Sequence, residues 1–372
     1  MSDDPAEAVI NNARETMEAH QVSGDEEDGV RMMEALSVEK LDRDLYRSKD
    51  LWHPAGSRGA FGGQLVAQAL RAAWNTVADG FHVHSLHNYF ILPGNAEIPI
   101  IYQVNRIREG RTYATRIVHG IQEGKKVIVC LCSFAKFDQT VTLEHQTPMP
   151  DNVPEPESLL PANKRIEQLV NDERIPSRYR KRLENHLRTV TPVEFRNTRT
   201  ETVEELIEGK AEADEHQGQW FKVRGRIPTD DPAIHACTIA YASDSGILMT
   251  ALRANGLVSG RRIGMMTSLD HSVWFHAPTR ADEWLYYDLH SPRSNDGRGT
   301  AFGRIYNCQG VLVATTSQEG VIRLSQAEQD ERRRLQSASV SPGSSSSSSS
   351  NLTTTQQQQQ LSFKPAVPSS KL

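Results

Sequence analysis

The chain repeats one order of elements, and that repeat restricts its fold more than any other feature. In the first copy, Phe61-Gly62-Gly63-Gln64 leads into an alanine-rich stretch ending at Ala73. Leu65, Ala69, Ala72 and Ala73 recur there at spacings of three and four, which predicts a single helix face. Ser85-Leu86-His87-Asn88-Tyr89-Phe90 follows, then strand patterns over 98–106, 111–121 and 127–134, with Glu109-Gly110 and Glu123-Gly124 as turn signals. The second copy keeps this order. Tyr241-Ala242-Ser243-Asp244-Ser245-Gly246-Ile247-Leu248 predicts the opening of a helix, Ser268 to Phe275 answers the segment at Ser85, and 283–290, 300–307 and 311–318 supply strands. A helix followed by antiparallel strands can bury both when a curled sheet wraps the helix, so the expected fold is α+β, built twice. Pairing the two sheets edge to edge would remove exposed edges.

At 372 residues the chain is long enough for two such units with tails to spare. Residues 1–34, with Asp25-Glu26-Glu27-Asp28, read as a flexible acidic extension holding one helix around 8–20. The first unit is expected over 35–137 and the second, with the polar candidates below, over 189–325. The linker over 138–188 is rich in proline and acid between Pro148 and Pro161, then becomes a charged helical pattern over 178–188. Residues 326–372 read as a disordered tail, because the serine run 344–350 and the glutamine run 356–360 have no apolar area to offset their ordering entropy. The tail carries Ser370-Lys371-Leu372, a receptor-read peroxisomal signal, so the peroxisomal matrix is the expected location and the import receptor an expected partner.

A net charge of −5 without a basic excess argues against a nucleic-acid partner. No apolar stretch approaches the ~20 residues of a membrane span, and Met1-Ser2-Asp3-Asp4-Pro5 is acidic where a leader would be basic. Cys130, Cys132, Cys237 and Cys308 lack paired ligand spacing, and His84, His87, His119 and His276 are scattered. Neither a metal site nor a cofactor is expected. A phosphate-binding glycine loop is missing as well.

Asp244, Ser268 and Gln318 stand out as polar residues where the repeat pattern calls for packing. Asp244, expected at a helix start, fits either an N-cap or a general base. Gln64 appears at the matching point of the first copy and cannot act as a base, which favours proton transfer for Asp244. Ser268 fits a hydroxyl bonded to a neighbouring carbonyl, and no Gly-x-Ser-x-Gly elbow marks it as a nucleophile. Gln318 fits an outward strand residue or an amide that holds a water. Asp270-His271 is adjacent on a strand, where neighbours point to opposite faces.

Phe61-Gly62-Gly63-Gln64, His84-Ser85 with Tyr89-Phe90 and Pro93-Gly94, Pro192-Val193-Glu194-Phe195-Arg196, Tyr241-Ala242-Ser243-Asp244, Leu269-Asp270-His271-Ser272 with Trp274-Phe275-His276, and Gln318-Glu319-Gly320-Val321 occur in that order. Together they resemble the acyl-CoA thioesterase II family, over about 36 to 323. The resemblance implies a double hotdog fold and fatty acyl-CoA as substrate. It also implies a catalytic Asp, Ser or Thr and Gln, falling here on Asp244, Ser268 and Gln318, which direct a water at the thioester. Ser268 stands where bacterial relatives often have Thr. Backbone N–H groups near Gly62, Gly63 and Gln64 could polarise the carbonyl oxygen. A homo-oligomer is compatible with this reading. Two rivals are a hotdog enoyl-CoA hydratase or dehydratase, which would favour an Asp–His pair where Asp244 has no histidine near it in sequence, and a non-catalytic acyl-CoA binding protein.

Overall fold

A computed structural model describes residues 24–340 except 55, 56, 58, 139, 189, 190 and 259. The helix expected around 8–20 and Ser370-Lys371-Leu372 lie outside the described residues. The chain divides into two units, one ending at Gln329 and one beginning at Asp330. The first holds both halves of the repeat.

The first half runs α1 (Gly24–Leu36), β1 (Val38–Asp42), β2 (Leu45–Ser48), α2 (Gly62–Trp74), β3 (His82–Phe90), β4 (Ile101–Glu109), β5 (Tyr113–Gln122) and β6 (Lys125–Ala135). Two helices follow, α3 (Ala162–Val170) and α4 (Ser177–Leu187), the second of them the charged helix expected over 178–188. The second half comprises β7 (Val193–Asn197), α5 (Val203–Glu208), β8 (His216–Val223), α6 (Pro232–Ser243), α7 (Met249–Arg253), β9 (Ile263–Ser268), β10 (Asp270–Phe275), β11 (Leu285–Asn295), β12 (Arg298–Asn307), β13 (Leu312–Leu324) and α8 (Gln326–Val340).

All strands join one antiparallel sheet in the order β1-β2-β4-β5-β6-β3-β10-β13-β12-β11-β8-β7, with β9 added to β13. The halves meet at β3 and β10, where Tyr89 lies opposite Asp270 and Ser85 opposite Trp274. The expected edge-to-edge pairing is therefore present, and it takes two edges out of solvent. The fold is the α+β double hotdog.

The two central helices lie side by side and antiparallel. Near the start of α2, a Cβ on Gly63 would overlap the carbonyl oxygen of Tyr241, near the end of α6. Toward the other end, Arg71 of α2 pairs with Asp231, the N-cap of α6, at 3.3 Å. Every residue from Gly63 to Ala73 is buried, so α2 is enclosed on all sides rather than on a single apolar stripe. One apolar core runs through both halves and includes Leu70, Leu86, Ile234, Ala240 and Val273.

Three expectations change. The extension over 1–34 is too long, because Val30, Met32 and Met33 of α1 are buried in the shared core. The acidic run just before them hid that apolar spacing. The tail expected from 326 begins as the helix α8, where Glu328 is buried against Arg262. The helix expected to open at Tyr241 instead closes there: α6 covers Pro232–Ser243, and Asp244 is its C-cap.

Candidate active site

Asp244 reaches its place through three ties on the end of α6. Tyr287, from β11, donates its hydroxyl to the Ser243 carbonyl at 2.9 Å. The Ser243 hydroxyl meets His271 Nε2 at 2.9 Å. Gln318 Nε2 donates to Asp244 Oδ1 at 2.7 Å. The backbone then turns through Gly246, whose φ of +82° is in the left-handed region that favours glycine, and the chain continues into α7.

Gln318 is at the centre of the site. It is buried in the middle of β13 and faces inward, which rules out the outward strand residue that the sequence left open. Its Oε1 accepts the Ser268 hydroxyl at 3.1 Å. Its Nε2 also lies 3.2 Å from His271 Nδ1. A carboxylate at Asp244 needs a donor, so the NH2 end of the amide faces it and the oxygen is left for Ser268. His271 Nδ1 then accepts, and its proton sits on Nε2 toward Ser243. Burial pushes the His271 pKa below its ordinary value, which agrees with a neutral ring. The structure thus brings Asp244, Ser268 and Gln318 into one hydrogen-bonded chain, from half-buried Ser268 at the end of β9 to Asp244.

His271 draws notice in the sequence only as half of an Asp270-His271 pair, and its place in this network is not foreseen there. Asp270 and His271 do diverge as strand neighbours should: Asp270 accepts the Glu319 backbone N–H at 2.7 Å, while His271 turns into the core. Its partners stand 28 and 47 residues away, so no local pattern could have indicated them.

The other face of Asp244 meets the start of α2. A Cβ on Gly62 would stand 2.9 Å from Asp244 Oδ2 and 3.0 Å from the Phe90 ring, so only glycine leaves this approach open. Phe61 precedes the helix and offers no side-chain cap. The first N–H groups of a helix have no partner within it, so those of Gly62 and Gly63 supply partial positive charge beside Asp244.

Gln64 does something else. Its N–H bonds the Phe61 carbonyl, its NH2 donates to the carbonyls of Ala35 and Asp50, and its oxygen accepts the Trp52 N–H. Because its backbone N–H is taken by the Phe61 carbonyl, Gln64 leaves the group of N–H donors expected at the helix start, and its side-chain amide fastens α1 and the segment before α2. It is also not the counterpart of Asp244. Gln64 opens its helix and Asp244 closes one, and they are near each other because the helices run antiparallel.

The pattern of the acyl-CoA thioesterase N-terminal domain matches residues 49–135, and that of the acyl-CoA thioesterase C-terminal domain matches residues 167–322. Acyl-coenzyme A thioesterase 8 from Mus musculus is 40% identical over 297 residues, covering 79% of this chain and 89% of its own. Peroxisomal acyl-coenzyme A thioester hydrolase 1 from Saccharomyces cerevisiae is 26% identical over 306 residues, covering 72% and 87%. The crystal structure of an acyl-CoA thioesterase II from Mycobacterium marinum superposes with a TM-score of 0.60 at 30% identity, over 80% of this chain and 98% of that one. With both domain patterns in sequence and the double hotdog in three dimensions, the chain belongs to the acyl-CoA thioesterase II family.

Proposed function

We propose that this acyl-CoA thioesterase hydrolyses fatty acyl-CoA by direct attack of water, with Asp244 as general base. The observation that carries the proposal is the hydrogen-bonded chain Ser268–Gln318–Asp244 ending beside the uncapped start of α2. Gln318 holds Oδ1, which leaves Oδ2 to take the proton of a water. The hydroxide equivalent adds to the thioester carbon. The oxygen that becomes negative is stabilised by the N–H groups of Gly62 and Gly63, and the C–S bond then breaks. The departing thiolate recovers the proton from Asp244, so the carboxylate is regenerated and no covalent enzyme species forms.

Thiol release from purified protein, measured across short, medium, long and branched acyl-CoAs, tests the activity; no release from any of them defeats the proposal. Rapid quench and intact mass measurement test the route, with no acyl adduct expected. An adduct on Ser268 would replace water attack by covalent catalysis.

The peroxisome is the proposed location and fatty acid metabolism the proposed setting. Support comes from the name of the yeast relative and from Ser370-Lys371-Leu372, read by an import receptor. Removing those three residues from a protein tagged at its amino terminus should shift fluorescence from puncta to cytosol without changing thiol release. Persistent puncta would mean that another signal or a partner imports it.

A further inference from the structure

The antiparallel helix pair has two ends, about 18 Å apart along 13-residue α2. The start of α2 and the end of α6 make the site described above. At the other end, where α6 starts and α2 finishes, lies a cleft of about 500 Å³, a size typical of small-molecule pockets. None of Asp244, Ser268 and Gln318 lines it. Its walls are apolar: Trp74 from α2, Val83 from β3, Ala236 and Ile239 from α6, Phe275 from β10 and Phe137. By the duplication, this end stands at the start of α6 in the second half as the reacting end stands at the start of α2 in the first half.

We propose that this cleft is a second, non-catalytic acyl site that takes the hydrocarbon chain of a long-chain fatty acid and holds its carboxylate on Lys136 at the rim. The proposal rests on the thioesterase reading for the class of occupant.

Two observations separate this end from the reacting one. The start of α2 has no side-chain cap, whereas α6 begins with Pro232 and its first turn is closed by Asp231, which accepts the Ala233 N–H at 2.9 Å. A negative side chain already occupies the place where an oxyanion would need donors, so this end cannot polarise a thioester carbonyl. Among the described residues that line it there is also no Asn or Gln to hold a base. What remains is space for a chain.

The rim favours one headgroup. Arg280 is committed to Asp282 at 2.7 Å and to Asp230. Lys136 lies over the Phe81 ring, 5.2 Å from its centroid, and among the described residues it has no carboxylate partner. Burial lowers the pKa of His82, His84, His235 and His276, so near neutral pH they add polarity without charge. Of the two carboxylates that line the cleft, Asp230 is taken by Arg280 and Asp138 accepts from the Thr140 N–H and hydroxyl. Among the described residues Lys136 is the lining cation without a carboxylate partner, which suits a single carboxylate on a hydrocarbon tail.

Titration of the full chain with palmitate, followed by calorimetry, tests the assignment alongside Ala236→Trp and Lys136→Glu. One palmitate should be lost in Ala236→Trp, which fills the cleft, and weakened at least tenfold in Lys136→Glu. Both variants should release thiol from acyl-CoA at the native rate at low substrate. A palmitate stoichiometry and affinity unchanged in both variants, or no binding by the native chain beyond the one palmitate that the reacting site takes as product, overturns the proposal. If Ala236→Trp does not fold, Lys136→Glu decides alone, since the substitution is at the cleft rim. Thiol release that is absent while palmitate still binds at the cleft would defeat the thioesterase reading and leave the second site standing.

Discussion

At Gln318 a single amide orientation satisfies its three neighbours, and this makes the site brittle in a way that single substitutions can read. Asp244→Asn keeps a side chain that a helix C-cap tolerates, but presents an amide where a proton must be taken. Turnover should fall by about 100-fold or more, the scale for losing a general base, while the denaturation midpoint stays near native. Near-native thiol release from the folded variant would remove Asp244 from the mechanism. Ser268→Ala should cost less, because Gln318 keeps its bond to Asp244 and its contact with His271. The sequence singled out all three residues because each is polar where the repeat calls for packing, but it did not reveal how they meet. Their bonds span 50 and 74 residues, and the residue that locks them, His271, resembled half of an Asp–His pair. Gln64 misled for the opposite reason. It too is polar in an apolar run, yet its amide is spent on backbone groups of Ala35, Asp50 and Trp52.

The elements repeat this contrast between what is local and what is not. Strand order was legible because alternation and turn residues are written along the chain, and the three hairpin strands of each half appear where expected. The placement of α6 was not. Its residues are apolar all round, so no face marks its ends, and Asp244 looked like a start when it is a stop. The crossing of α2 and α6 gives two predictions that differ in kind. Gly63→Ala forces a methyl group against the Tyr241 carbonyl between two buried helices, and should destabilise by about 1–3 kcal/mol, read from urea denaturation. An unchanged midpoint would mean that the helices can move apart freely. Gly62→Ala instead pushes its methyl group toward Asp244 Oδ2 and Phe90, so it should reduce thiol release more than stability. If Gly62→Ala lowers stability as much as Gly63→Ala does and leaves activity intact, the start of α2 is a packing surface only.

Across the whole molecule, burial in one continuous sheet and core leaves a signature in pH. Eight histidines, His82, His84, His87, His119, His186, His235, His271 and His276, have their pKa lowered, with burial the first cause in every case. Each is harder to protonate folded than unfolded, so below the unfolded pKa of about 6.5 the unfolded chain binds more protons than the native one. Stability then rises with pH through that window and is fully present above about 6.5. Lowering the pH from 7.5 to 5.5 should therefore reduce the urea midpoint, and the slope should exceed what any single histidine supplies, because the residues lie on β3, β5, α4, α6, β10 and the segment after it. His271 is the most enclosed, fully buried between Ser243 and Gln318, so His271→Gln should flatten part of that slope as well as slow thiol release. Equilibrium denaturation at half-unit pH steps, for the native chain and for His271→Gln, gives both slopes. A midpoint that does not change between pH 7.5 and 5.5 would show that these rings protonate as easily folded as unfolded, and the neutral His271 on which the orientation of Gln318 depends would have to be abandoned.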